Sequence, residues 1–471
     1  VVNCLWPVPG LPSRVASSEP PTGGTRRGGT IRAGSNRDRW SVWFSYYLFI
    51  IFGIGLGATG VLLPAQMRDY GVDQATIGAT FVANSVGFVV ASAVVGPLGH
   101  RFGMRRMILA ASVVLGGAYL VSAGRPPLAV LVLASFVVGS ASGSCEGVLN
   151  AYVAGLPSAT AVMNRLHAYF GVGALLGPLA AAGLLTVTGW PAVMLIMTGL
   201  ALPPAAVGWL TFPARDVDPL LVAHPGAVVA GAAAVADGVA PVAMSRSGRH
   251  ALLAVVRQPL VLWAGAMLCV YVGLEQGIGN WGYTYLVDAR SVSGLLAGYT
   301  ASGYWFGLTV GRFMATPATT RLRLSATQLL SVCMVGTAVS CGLLWAAPAT
   351  AGLASLSFVP LGFFLGPVYP TTMSIMNRLT DAHLVPTAIG ALGAGGVAGG
   401  ALFPWLVGTV IQLVGPWTLP PVALVLAVLQ YALWRVLGRR LAGSGRPDGT
   451  SAAVDLPNGK VGRFVPNPAR D

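Results

Sequence analysis

Along most of the chain, apolar residues do not alternate with polar ones but run on for roughly 20 residues at a time, the length a helix needs to cross a ~30 Å hydrocarbon core. Twelve such spans are predicted, over residues 41–64, 76–99, 105–124, 128–153, 164–187, 191–212, 259–287, 294–316, 325–346, 348–374, 384–412 and 415–437. No water reaches the backbone inside a bilayer, so each span must close its hydrogen bonds internally as an α-helix. The expected fold is an all-α integral membrane protein. One long interruption, residues 213–258, carries Asp216, Asp218 and three prolines, and reads as a cytoplasmic linker between six-helix halves at 40–212 and 259–437. Residues 1–39 read as a disordered basic cytoplasmic tail and 438–471 as a second cytoplasmic tail.

Composition excludes a water-soluble fold, because 55% hydrophobic and 9% charged residues over 471 positions leave too little polar surface to cover the core. The net charge of +14 raises the alternative of nucleic acid, but its distribution speaks for topology. Only Arg68, Arg125 and Arg290 of the 28 basic residues fall in odd-numbered interhelical loops; the others lie in the tails, the even-numbered loops or their helix ends. Both termini are therefore expected on the cytoplasmic side, with no nucleic-acid partner. Arginine outnumbers lysine 27 to 1, which together with abundant Ala, Gly and Val fits a GC-rich bacterial genome and a bacterial plasma (inner) membrane.

Four cysteines (Cys145, Cys269, Cys333, Cys341) lie inside spans, where they act as small packing residues, and Cys4 stands alone, so no disulfide framework is expected. No metal-binding histidine motif, phosphate loop or nucleotide fingerprint is present, and neither metal nor cofactor is expected. The run Gly139-Ser140-Ala141-Ser142-Gly143 superficially looks like an intramembrane serine-protease loop, yet it breaks the Gly-x-Ser-Gly order; an enzyme is not expected.

Two internal echoes point to duplication. An offset of 220 aligns Gly78, Thr80 and Gly87 with Gly298, Thr300 and Gly307, and Met163-Asn164-Arg165-Leu166 returns as Met376-Asn377-Arg378-Leu379. A duplicated transporter places its solute site between the halves near the membrane midplane.

Of 14 acidic residues only Glu146 and Glu275 fall deep inside spans, where an ionisable group is costly enough to imply function. Ser142, Glu146 and Asn150 recur every four residues and so share one helix face. The alternative for either acid is a protonated carboxyl tying two helices together. In the seventh span, Gly273, Gly277, Gly279 and Gly282 weaken the helix beside Gln276 and Asn280, whose amides lie one turn apart and suit solute hydroxyls; the glycines alone would also serve close packing. Trp281, Tyr304 and Trp305 either present ring faces to a solute or anchor and face the lipid. His167 relays a proton or bonds a loop carbonyl.

Between the second and third spans, Gly96-Pro97-Leu98-Gly99-His100-Arg101-Phe102-Gly103-Met104-Arg105-Arg106 resembles the signature loop of the major facilitator superfamily, a gating loop at a tight cytoplasmic turn. His100 stands where that pattern has aspartate. In the fourth and fifth spans, Cys145-Glu146-Gly147-Val148-Leu149-Asn150-Ala151-Tyr152-Val153, Asn164-Arg165-Leu166-His167 and Gly173-Ala174-Leu175-Leu176-Gly177-Pro178 resemble the fucose-permease branch of sugar and proton symporters. The resemblance implies a secondary transporter moving a small sugar-like solute with protons, Glu146 matching that branch's helix-4 glutamate; a monomer is expected. That branch also carries a helix-1 aspartate four residues before a proline; here Leu62-Leu63-Pro64 is kept but the position is Gly60, so that either the coupling is simpler, or Glu275 supplies a second acid from the opposite half, or the chain is a uniporter or exporter on the same scaffold. A partial likeness of Gly173 to Pro178 to the drug-antiporter motif makes an exporter of drugs or secondary metabolites the alternative.

Overall fold

A computed structural model describes residues 36–443 except 155, 157–158, 204–205, 207–211, 213–252, 347–350 and 382–383. The expected tails and almost all of the expected linker lie outside the described residues. The helices are α1 (Asn36–Tyr70), α2 (Gln74–Phe102), α3 (Met104–Ala123), α4 (Leu128–Ala154), α5 (Ala159–Leu185), α6 (Trp190–Ala201), α7 (Pro259–Thr284), α8 (Gly294–Arg321), α9 (Ala326–Ala346), α10 (Ala351–Leu365, resuming as Val368–Ser374), α11 (Val385–Val414) and α12 (Leu419–Gly443). Among the described residues, ten helical spans are long and apolar enough to cross a bilayer; α6 is too short over its described part, and α8 does not qualify.

Each predicted span meets a helix, with differences at the ends. Helix α1 begins at Asn36, and the span over 259–287 closes in a π-turn, Tyr285–Ala289. The span over 348–374 is interrupted at Gly366 and Pro367, since proline offers no N–H to continue the ladder. The exteriors are apolar as well as the interiors: Val82, Val86, Val90 and Val94 of α2 lie exposed in a stripe opposite buried Ile77 and Phe81. A helix apolar all round has lipid for a solvent.

Helix contacts within each half are made through glycine. A Cβ on Gly87 of α2 would strike the Phe136 carbonyl of α4, and one on Gly139 of α4 would strike that of Asn84. The second half repeats this: Gly307 of α8 faces the Val359 carbonyl of α10, and Gly362 faces that of Tyr304. Offsets of 220 for α2 onto α8 and 223 for α4 onto α10 superimpose every one of these contacts. The tetrapeptide echo does not occupy equivalent places. Met163 to Leu166 lie within α5, whereas Met376–Leu379 form a separate short helix ahead of α11.

The α2–α3 turn consists of Gly103 alone, at φ +78°, a conformation that a side chain would penalise. Its N–H donates to the Gly99 carbonyl at 2.9 Å. Gly96 is buried, Arg105 half-buried and Arg106 exposed, and the Arg101 guanidinium lies 5.4 Å from the Phe102 ring centroid. The side chain of His100 lies outside the described ones.

The halves meet through α5 with α8, α2 with α11, and α1 with α7. The close approaches lie toward the end opposite the termini. A Cβ on Gly60 of α1 would stand 2.6 Å from the Gly279 carbonyl oxygen of α7. Trp405 of α11 covers Gly78 of α2, and the Ser302 hydroxyl of α8 donates to the Leu175 carbonyl of α5 at 2.8 Å. At the rim, Gln412 of α11 accepts from the Ala75 N–H at 3.1 Å and donates to Asp73 at 2.6 Å. Asp73 also caps α2 through the Thr76 N–H, and these hydrogen bonds, Thr76 first and Gln412 after, hold its carboxyl below the usual carboxylate range. The three arginines expected at this end serve it: Arg125 pairs with Asp69 at 2.8 Å, Arg290 donates to the Tyr285 hydroxyl at 2.6 Å, and Arg68 lies near Tyr283 and Asp288.

Candidate functional site

Below this sealed end, five helices from both halves bring ionisable side chains together. Glu275 projects from α7, buried, with its side chain 8% exposed. One carboxylate oxygen accepts from the Tyr271 hydroxyl, a helical turn earlier on the same face. The other stands 3.6 Å from an Nη of Arg312 on α8, whose side chain is 35% exposed. Tyr304, also on α8, donates its hydroxyl to the Glu275 backbone carbonyl at 2.9 Å, fixing α8 against α7.

Glu146 enters from α4, half-buried, with Asn150 as its hydrogen-bond partner one turn on and Ser142 half-buried one turn back. Ser142, Glu146 and Asn150 thus lie one helical turn apart along α4. Glu146 turns toward the second half: Tyr369 of α10 lies within electrostatic reach of Glu146, Arg312 and Glu275, and its ring centroid is 6.4 Å from that of Tyr271. His167 of α5 stacks edge-on against Phe49, its buried Nε2 without a hydrogen-bond partner, and lies within reach of Arg312. Two carboxyls, one guanidinium, one imidazole and three phenols thus surround the junction of the halves. No cluster of metal-binding side chains occurs among the described residues.

The other residues singled out from the sequence are split between cleft and seal. Gln276 is half-buried beside Gly400 of α11. Asn280 is buried at the α1–α7 crossing, and Trp281 is fully buried, donating its indole N–H to the Pro404 carbonyl at 2.7 Å with its ring edge-on to Phe81. In this conformation those two belong to the seal, so the amide pair is not presented together. Trp281, Tyr304 and Trp305 are 0%, 1% and 3% exposed, which corrects the lipid-facing alternative for all three. The crossing also accounts for Gly60, because a carboxylate there would collide with the α7 backbone.

The sequence reading passes over Arg312, Tyr271 and Tyr369. Arg312 falls within the predicted span 294–316, but the charge count groups it with the topological arginines at helix ends. A basic residue nine positions inside a 28-residue helix is the signal that would have found it.

The sequence profile described as Major Facilitator Superfamily matches residues 46–404. The chain is 23% identical over 419 residues to "Bypass of stop codon protein 6" of Saccharomyces cerevisiae, covering 84% of this chain and 82% of the relative. It is 26% identical over 196 residues to the 4-hydroxybenzoate transporter PcaK of Pseudomonas putida, a match spanning 38% of this chain and only 42% of that protein. Among solved structures, a bacterial homologue of the human lysosomal transporter Spinster, inward-facing and unoccupied, superposes with a TM-score of 0.68 at 12% identity, over 87% of this chain and 99% of that one. The transporter FucP in the outward conformation gives 0.52 at 14% identity, over 84% and 98%. The structural likenesses share the fold; the profile carries membership. This chain, a multi-pass membrane protein and not an enzyme, belongs to the Major Facilitator Superfamily of small-solute transporters.

Proposed function

We propose that the protein is a proton-coupled secondary transporter that moves a small polar solute by alternating access through the site between its halves. The observation that carries this reading is that Glu146 and Glu275, one from each half, lie within electrostatic reach of the same Tyr369 beside a seal at one end. A carboxyl in such a place can hold a proton or release it according to which side of the membrane the cleft faces. With the termini in the cytoplasm of a bacterial plasma membrane, the conformation described here is inward-open, and the seal at Gly60, Trp281 and Gln412 is the outer gate.

The solute class has two sources of support that differ. Resemblance of α4 and α5 to the fucose-permease branch favours a sugar, for which Asn150 and Gln276 supply hydrogen-bonding amides. Arg312 favours a solute with an acidic group, in line with the partial match to the transporter of 4-hydroxybenzoate. Protein in liposomes loaded with a pH-sensitive dye tests the coupling. Addition of L-fucose or 4-hydroxybenzoate outside should bring protons in with the solute that is carried. Solute entry without any proton movement would overturn the proposal.

A further inference from the structure

Arg312 hydrogen-bonds the Tyr271 hydroxyl and faces Glu275, yet part of its donor capacity is unspent. Its contact with Glu275, at 3.6 Å, is longer than a good charge-assisted bond of about 2.7–2.9 Å. The Oε2 atom of that carboxylate is already taken by the Tyr271 hydroxyl, so the two-bond fork that guanidinium and carboxylate prefer is not made. The Arg312 Nε–H is buried with no acceptor. The Tyr304 hydroxyl, on the same helix, is committed to the Glu275 carbonyl. Meanwhile, about a third of the Arg312 side chain is open, against 8% of Glu275. A cation with a buried donor unsatisfied and an edge open to the cleft is built to receive a second anion.

We infer that Arg312 docks the carboxylate of the solute, a small aromatic monocarboxylate, and that Glu275 is the counter-ion it displaces. This rests on the transport reading above and narrows it. Two carboxylates cannot both stay ionised against one guanidinium in a poorly solvated cleft, so arrival of the anionic solute favours uptake of one proton from the surrounding solution by Glu275. The solute then forms the fork at Arg312, and the net charge of the site is unchanged. When the solute leaves, Glu275 releases the proton and pairs again. One proton moves with one anion.

The groups facing this pair are Tyr271 on α7, Tyr304 on α8, Tyr369 on α10 and, at longer range, Glu146 on α4 and His167 on α5. The Tyr271 and Tyr369 rings, tilted 36° to one another, offer a flat flank for an aromatic solute.

The test compares benzoate with benzamide, matched in size and differing in charge, by calorimetry on purified full-length protein. Benzoate should bind at least about tenfold more tightly than benzamide, and Arg312→Gln should bring it down to the benzamide level. Arg312→Lys, which keeps the charge without the fork, should fall between. Calorimetry in buffers of different ionisation heat should show about one proton taken up per benzoate by the natural protein and none by Glu275→Gln. Equal binding of benzoate and benzamide by the natural protein, or undiminished benzoate binding by a monodisperse Arg312→Gln, would overturn the inference. If L-fucose enters liposomes with protons while benzoate does not bind, the transport reading stands and this inference falls.

Discussion

Gly87 in the first half and Gly307 in the second do the same work, each admitting a neighbouring helix to within backbone contact. The same correspondence fails for charge. Carried across by the offsets that superimpose the glycines, Arg312 of α8 falls on Ser92 of α2, and Tyr369 of α10 falls on Glu146 of α4. An offset of 219, set by the matching contacts of Gly173 with Ile50 and Gly399 with Cys269, places Glu275 on Leu56. Each ionisable group thus has a partner position that cannot ionise at neutral pH. The packing is duplicated and the chemistry is not. A single site between the halves needs one set of groups, and a mirrored set would place like charges in one cleft, where they repel.

The largest expected effect comes from breaking the shared packing. Gly87→Leu and Gly307→Leu should both abolish monodisperse protein on size-exclusion chromatography, since a carbonyl cannot yield as a side chain can; the cost exceeds the ~1–3 kcal/mol of ordinary overpacking. Gly183→Leu and Gly199→Leu, with open space around them, should be tolerated. Unequal outcomes at Gly87 and Gly307 would show that the two halves do not share this contact.

Next come the charges. Arg312→Ala should lower transport at least about tenfold, while Ser92→Ala, its counterpart, should leave it unaltered. Ser92 is buried with no hydrogen-bond partner for its hydroxyl, so its loss removes no bond. Equal effects at the two positions would make the cleft symmetric in function.

A smaller effect is expected at the rim, where Gln412→Ala should shift spin-label distances across the α2–α11 gate toward the open state, several-fold in population. The carboxyl of Asp73 sits below its ordinary range through its bonds to Thr76 and Gln412, so its contribution holds above its unfolded pKa and is lost as pH falls through the lower folded value. Gate distances should therefore not change from neutral pH down to about pH 5, and should lengthen only below about pH 4. A gate that opens near neutrality would need another titrating group. Smallest is Trp281→Phe, which loses the bond to the Pro404 carbonyl and about 1 kcal/mol of stability, measured by thermal unfolding.

These regions also differ in how far the sequence reveals them. The helices were legible because lipid leaves each span apolar on every side, so that length alone marks it. Glu146 and Glu275 were legible for the converse reason, as acids with no business in hydrocarbon unless used. Arg312 was masked by the same logic of charge and topology that oriented the chain. Asn280 looks from spacing like a continuation of the Gln276 face, and only the crossing of α1 over α7 at Gly60 shows that it packs into the contact between the halves. Tyr369 carries no signal of its own, since it lies 94 positions beyond Glu275 and joins it only through the fold.

The central claim is that a carboxyl between the halves carries the proton that drives the solute, and Glu146→Gln tests it most directly. The amide copies the protonated carboxyl in shape but releases no proton. In liposomes under an imposed pH gradient, the variant is expected to bind solute and exchange it across the membrane at a rate independent of pH, yet to accumulate none. Accumulation at the rate of the natural protein would contradict the account for Glu146 and leave Glu275 as the sole carrier of the proton.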